Sequence, residues 1–104
     1  MKNLFYLLFI LPLMYSCGGN SGPSELEASV VIQDFVKEKL KSPSTAEFEP
    51  GIVNAVRKVE ENTYEASSYV DSQNSFGATV RTNFKCRVKW KSEYTWSLVS
   101  LEMD

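Results

Sequence analysis

The chain contains no histidine, the side chain that most often serves as general base, proton shuttle or metal ligand near neutral pH. Ser–His and Cys–His nucleophile pairs are thereby excluded, as are most transition-metal sites. What remains is Cys86, the carboxylate pairs Glu25/Glu27, Glu47/Glu49 and Glu60/Glu61, and a lone Asp71. Cys86 lies in an alternating run between Lys85 and Arg87, so strand geometry points the thiol inward and both cations to the opposite face. It therefore reads as a small buried hydrophobe and not as an activated nucleophile. The carboxylate pairs fall at a helix start, a connection and a turn, where solvated charge accounts for them. No stretch has the spacing of an EF-hand or a phosphate-binding loop. These residues predict a protein that is not an enzyme and carries no metal or cofactor. A hydrolase built on Asp71 would lack its base.

Two features instead suggest binding. The first is a basic row, Arg81, Lys85, Arg87, Lys89 and Lys91, which alternation places on one face of a single strand. Such a row either keeps a solvated face soluble by pairing with acids such as Glu65 and Glu60 on neighbouring strands, or docks an acidic partner or anionic headgroups. The second is the stretch "YVDSQNSFGATVR", residues 69–81. Asp71, Ser72, Asn74, Ser75 and Gly77 are turn formers, Gln73 is less typical of turns, and Phe76 is an aromatic that could fold back onto the core. A connection of about seven residues is long for a hairpin, and long connections are where recognition concentrates. Asp71, Gln73, Asn74, Phe76, Arg81, Lys85, Arg87 and Lys89 are thus the candidate partner-binding residues.

The elements that must hold these residues follow from periodicity. Ser24 with Glu27 has capping-box spacing, and Ala28, Val31, Ile32, Phe35, Val36 and Leu40 form one apolar stripe. A helix over 24–41 is predicted, with acids at its start, lysines near its end and Pro43 stopping it. Period-two patterns follow. "IVNAVRKVE" is a strand with Val53, Ala55 and Val59 on one face, turned at Glu61-Asn62. "TYEASSYV" and residues 78–91 are the next two. The last, "YTWSLVSLEM", carries two apolar sets out of phase, which predicts a bulge. One helix followed by four antiparallel strands gives a two-layer α+β domain, the N-terminal helix packed on a four-stranded sheet with hairpin neighbours.

The N-terminus carries Lys2 and an apolar run of 11 residues, Leu4 to Met14. That is short of the roughly 20 needed to span a bilayer and suits a secretory signal. The run stops at Ser16-Cys17, resembling the bacterial lipoprotein pattern in which cleavage precedes a lipidated cysteine, although Leu13 sits one place early. The expected organisation is a signal peptide at 1–16, a lipidated Cys17 with a flexible tether through residue 23, and a globular domain at 24–104. Losing Lys2 leaves 10 basic against 13 acidic residues, a charge of −3. An electrostatic footprint for nucleic acid is absent. With Cys17 acylated, as in palmitate-bearing lipoproteins, Cys86 has no disulfide partner in the chain.

"LKSPSTAEF" (40–48) and "YVDSQNSFGATVRTNF" (69–84) together resemble a widespread group of small uncharacterised bacterial domains. In that group a helix ending in Ser-Pro-Ser-Thr-Ala precedes a strand–"VDxQNxFGAxxR"–strand unit. Ser42 to Ala46 match the first motif; Val70, Asp71, Gln73, Asn74, Phe76, Gly77, Ala78 and Arg81 match the second. The resemblance implies common descent over most of residues 30–90 and a specified loop, with Arg81 folded over Asp71 to rigidify it. The combined expectation is a lipid-anchored envelope protein at the periplasmic face of an outer membrane, binding another envelope component without catalysis. A small-ligand or lipid carrier is the alternative, its pocket formed between helix and sheet by Phe35, Tyr64, Phe84, Trp90 and Trp96.

Overall fold

The structure, a computed structural model, describes residues 23–104; the expected signal at 1–16, Cys17 and the tether up to residue 22 lie outside the described residues. Helix α1 (Glu25–Lys37) opens on Ser24, whose Oγ accepts the Glu27 N–H at 3.2 Å. The α-helix ends at Lys37, four residues short of the expected 41. Lys39 and Leu40 bond back to the carbonyls of Val36 and Lys37 instead, tightening the chain into a turn before Pro43. A single turn of 3-10 helix, Pro43–Thr45, then leads to β1 (Glu47–Phe48).

Five strands form the sheet where the sequence predicts four: β1, β2 (Val56–Glu60), β3 (Thr63–Gln73), β4 (Thr79–Ser92) and β5 (Thr95–Met103). All pairings are antiparallel. The main order is β1-β3-β4-β5, with β2 also on β3, beyond β1 along the same edge. The added strand β1 is two residues long, too short for alternation to reveal. The expected strand over 52–60 is shortened, because Gly51 at φ +73° starts a 3-10 turn over Ile52–Ala55, closed by the Asn54 N–H on the Gly51 carbonyl. Ile52 and Val56 are consequently the residues buried there, with Val53, Ala55 and Val59 only half-buried. The turn at Glu61-Asn62 forms as expected, with Asn62 at φ 59°.

The core lies between α1 and one face of β3 and β4. Ala28, Ile32 and Val36 are fully buried at successive fourth positions, opposite a cluster that includes Tyr64, Ala66, Val70, Phe84, Cys86 and Val88. Val31, Phe35 and Leu40 pack against its margin. The Tyr64 hydroxyl donates to the Pro23 carbonyl at 3.3 Å, fastening the helix entry to the sheet. In β5 the register passes from Arg87↔Ser100 to Val88↔Leu98, leaving Val99 as the extra residue of a bulge; the out-of-phase apolar sets have this cause. The pairing Trp90↔Trp96 follows, and Trp96 tilts onto Tyr64 with ring centroids 5.9 Å apart.

Cys86 is fully buried, and burial alone pushes its thiol up to about 12. Labelling of Cys86 by a thiol reagent at pH 8 is therefore expected to be negligible in the folded protein and rapid in urea, read by mass spectrometry of its peptide. Rapid labelling without denaturant would mean that β4 opens readily.

Candidate functional site

The β3–β4 ladder runs from Thr63↔Lys89 to Gln73↔Thr79 without interruption. Asp71 and Gln73 are thus strand residues, and the expected seven-residue loop reduces to a tight turn at Ser75-Phe76-Gly77. Asn74 builds that turn. Its Oδ1 accepts the N–H groups of Phe76 (2.9 Å) and Ala78 (3.0 Å), while its own N–H donates to the Ala78 carbonyl. Gly77 sits at φ +82°, as the final position of a three-residue hairpin loop requires. Phe76 does not fold back onto the core. It is 93% exposed, because a turn this short holds its side chain beyond the end of the sheet.

Directly behind the tip, Asp71 stands opposite Arg81. The guanidinium forks onto the carboxylate, Nε to Oδ1 at 2.9 Å and Nη2 to Oδ2 at 3.1 Å, and lies 3.7 Å above the Tyr69 ring. These hydrogen bonds from Arg81 hold the Asp71 carboxyl below its ordinary pKa and raise that of Arg81. Gln73 turns its N–H to Thr45 Oγ1 at 2.9 Å, and Thr45 in turn donates to the Ser42 carbonyl. The Ser-Pro-Ser-Thr-Ala turn and the hairpin are therefore one joined structure. That junction, and the Tyr69 stack, were not identified from sequence, although Tyr69 shares Asp71's face by simple alternation.

A depressed carboxylate pKa contributes stability that is complete above the unfolded value and lost as pH falls through the folded one. The stability that Asp71 contributes should therefore be present above about pH 4 and lost below it, as should that of Asp104, whose carboxylate accepts from the Asn83 backbone and side chain. Asp71→Ala and Arg81→Ala are each expected to lower the denaturation midpoint slightly and by similar amounts, with the double variant no worse than either. Additive losses in that cycle would show the pair to be energetically independent.

The basic row is not one patch with the tip. Lys85, Arg87 and Lys89 do project to the face away from α1, but Lys89 is eight residues from Arg81, about 26 Å along a strand. Arg87 is engaged by Glu65 through Nη2 at 3.0 Å and Nε at 3.2 Å, with Arg57 approaching the same carboxylate from β2 at 3.5 Å. Lys85 faces Ser67 and Glu102, and Lys89 faces Thr63 and Ser97. Ion pairing with a neighbouring strand thus occupies the row's centre, through Glu65, while Glu60 forms no ion pair among the described residues.

Two open grooves flank α1. One, of about 420 Å³, lies between Leu26, Val30 and Val31 of the helix and Tyr94 and Trp96 of the β4–β5 hairpin. The other, of about 280 Å³, lies at the opposite end, between the turn after α1 and the β3–β4 hairpin. Of the aromatics expected to line a carrier pocket, Tyr64 and Phe84 belong to the packed core, and Phe35 and Trp96 close its margin. No protein-family model, curated protein or solved structure matches this chain.

Proposed function

We propose that the chain is a lipid-anchored protein of the bacterial envelope, held through Cys17 at the periplasmic face of the outer membrane, that binds another envelope component without catalysis. The observation that supports this reading most is the hairpin tip. A 93% exposed phenylalanine offers an aromatic side chain of the kind enriched at protein interfaces, and here it is mounted on a turn fixed by Asn74 and braced by Asp71, Arg81 and Tyr69. Rigid presentation lowers the ordering cost of binding. Asp71, whose pKa is depressed by its arginine, is a poor general base.

In-cell photo-crosslinking from Phe76 and Gln73 tests the binding role, and metabolic palmitate labelling of the wild type against Cys17→Ser tests the anchor. A discrete protein adduct from either hairpin position is expected; its absence from both would remove the hairpin from consideration. The apolar groove beside Trp96 favours a second reading, transport of a small apolar ligand or lipid. A defined mass that copurifies in native mass spectrometry and is lost on Val30→Glu would support it.

A further inference from the structure

A helix of 13 residues is about 20 Å long, whereas the 14 residues of β4 extend about 46 Å. α1 therefore cannot cover the whole inner face of the sheet. Past its C-terminal end the face is covered only in part, by the turn that follows the helix: Ser72 is 4% exposed but its cross-strand partner Val80 is 42% exposed. There the groove of about 280 Å³ is lined by Lys39, Leu40 and Lys41 on one side and by Ser72, Val80 and Met103 on the other.

Ser72 marks this groove as more than a gap between elements. Four polar side chains of the domain are buried, Ser29, Thr63, Glu65 and Ser72. Ser29 donates to the Leu26 carbonyl, Thr63 to the Glu61 carbonyl, and Glu65 accepts from two arginines. Only the Ser72 hydroxyl, on a residue 4% exposed, has no hydrogen-bond partner among the described residues. A buried hydroxyl left unpaired is costly, and this one lines an open groove whose rim carries two lysines in no ion pair among the described residues. Leu40, Val80 and Met103 form apolar walls, and Thr82 and Asp104 belong to the lining as well, the Asp104 carboxylate being held by the Asn83 backbone and side chain. Gln73 and Asn74 also line the groove and lead directly to the exposed Phe76.

We propose that this groove receives an acidic side chain, flanked by an apolar residue, on an extended segment of a partner protein. Resting on the interaction role proposed above, it specifies the partner's chemistry. The Ser72 hydroxyl donates to the carboxylate, and the two ammonium groups of Lys39 and Lys41 offset its charge and that of Asp104, which lines the same groove. The apolar neighbour lies against Leu40 and Val80, and the segment continues toward Phe76.

The test is selection of a random heptapeptide library on the full chain in detergent. Enriched peptides are expected to pair Asp or Glu with Leu, Ile, Val or Met. Their binding should weaken about tenfold in Ser72→Ala and disappear in Lys39→Glu/Lys41→Glu. Both variants are checked for unchanged thermal unfolding; Ser72→Ala removes only an unpaired hydroxyl and should fold. Enriched peptides that lack acids, or that bind the variants as tightly as the wild type, overturn the proposal. So does retention of phosphatidylglycerol vesicles, abolished by Lys39→Glu/Lys41→Glu, with no acidic peptide enriched; a lipid headgroup would then be the ligand. Protein adducts from Phe76 in cells without any enriched acidic peptide would overturn the groove's role and leave the interaction module standing.

Discussion

Ile32→Ala is expected to destabilise the domain by about 3 kcal/mol, within the range of 2–5 observed when a fully buried isoleucine is truncated. Ile32 is 0% exposed and sits at the centre of the stripe Ala28, Ile32, Val36. That stripe is how α1 attaches to the sheet. A helix of 13 residues is marginal by itself in water and owes its stability to tertiary packing, so a cavity there weakens the helix as well as the core. Small domains have stabilities of roughly 0.05–0.15 kcal/mol per residue, so one such loss is a large fraction of the total. Val30→Ala is the matched control. Val30 is on the same helix but 52% exposed, and its loss should stay within about 0.5 kcal/mol. Urea midpoints at constant slope measure both; equal shifts for the two variants would mean that α1 is not the element closing the core.

The second large effect is expected at Arg87. Glu65 lies on the sheet face away from α1, yet its side chain is only 7% exposed, covered by Arg87 from β4 and Arg57 from β2. Arg87→Ala leaves a buried carboxylate with the weaker, 3.5 Å partner. Breaking a fully buried pair costs about 3–5 kcal/mol. Arg87 is one-third exposed, so solvent relieves part of this and about 2 kcal/mol is expected. Arg57→Ala, removing a side chain 72% exposed, should cost less than about 1 kcal/mol. In a Glu65→Gln background, where no carboxylate is stranded, Arg87→Ala should become nearly neutral. Undiminished loss in that background would assign the role of Arg87 to its aliphatic stem instead of its charge.

Much of this architecture was legible in the sequence because it rests on local rules. The Ser24 cap, the stripe through Ile32, the alternation from Ala78 to Trp90 and the phase break at Val99 each follow from periods of 3.6 or 2. The errors have physical causes as well. Gly51 diverted an apparent strand into a turn, and β1 depends on pairing with Asp71 and Val70, which no local pattern encodes. Asp71 and Gln73 resembled loop residues by type, but their opposition to Arg81 and Thr79 extends the ladder. The contact between Arg81 and Asp71 was accessible from spacing across a hairpin. The groove at Ser72 was not, since it arises from the mismatch between helix and strand length, and Lys39 and Lys41 meet Ser72 only after folding.

The bulge at Val99 carries a consequence for behaviour in a crowded compartment. β5 is an outer strand of the sheet among the described residues, and an outer strand of nine residues with Leu98 and Val99 exposed could template the addition of a neighbouring molecule. The extra residue interrupts it. It divides β5 into two four-residue runs, Thr95–Leu98 and Ser100–Met103, whose outward-facing hydrogen-bonding groups no longer share one regular repeat. A second molecule could align with either half but not with both, so ribbons of stacked sheets are disfavoured at high local concentration. One inserted valine thus protects this outer edge from misassembly.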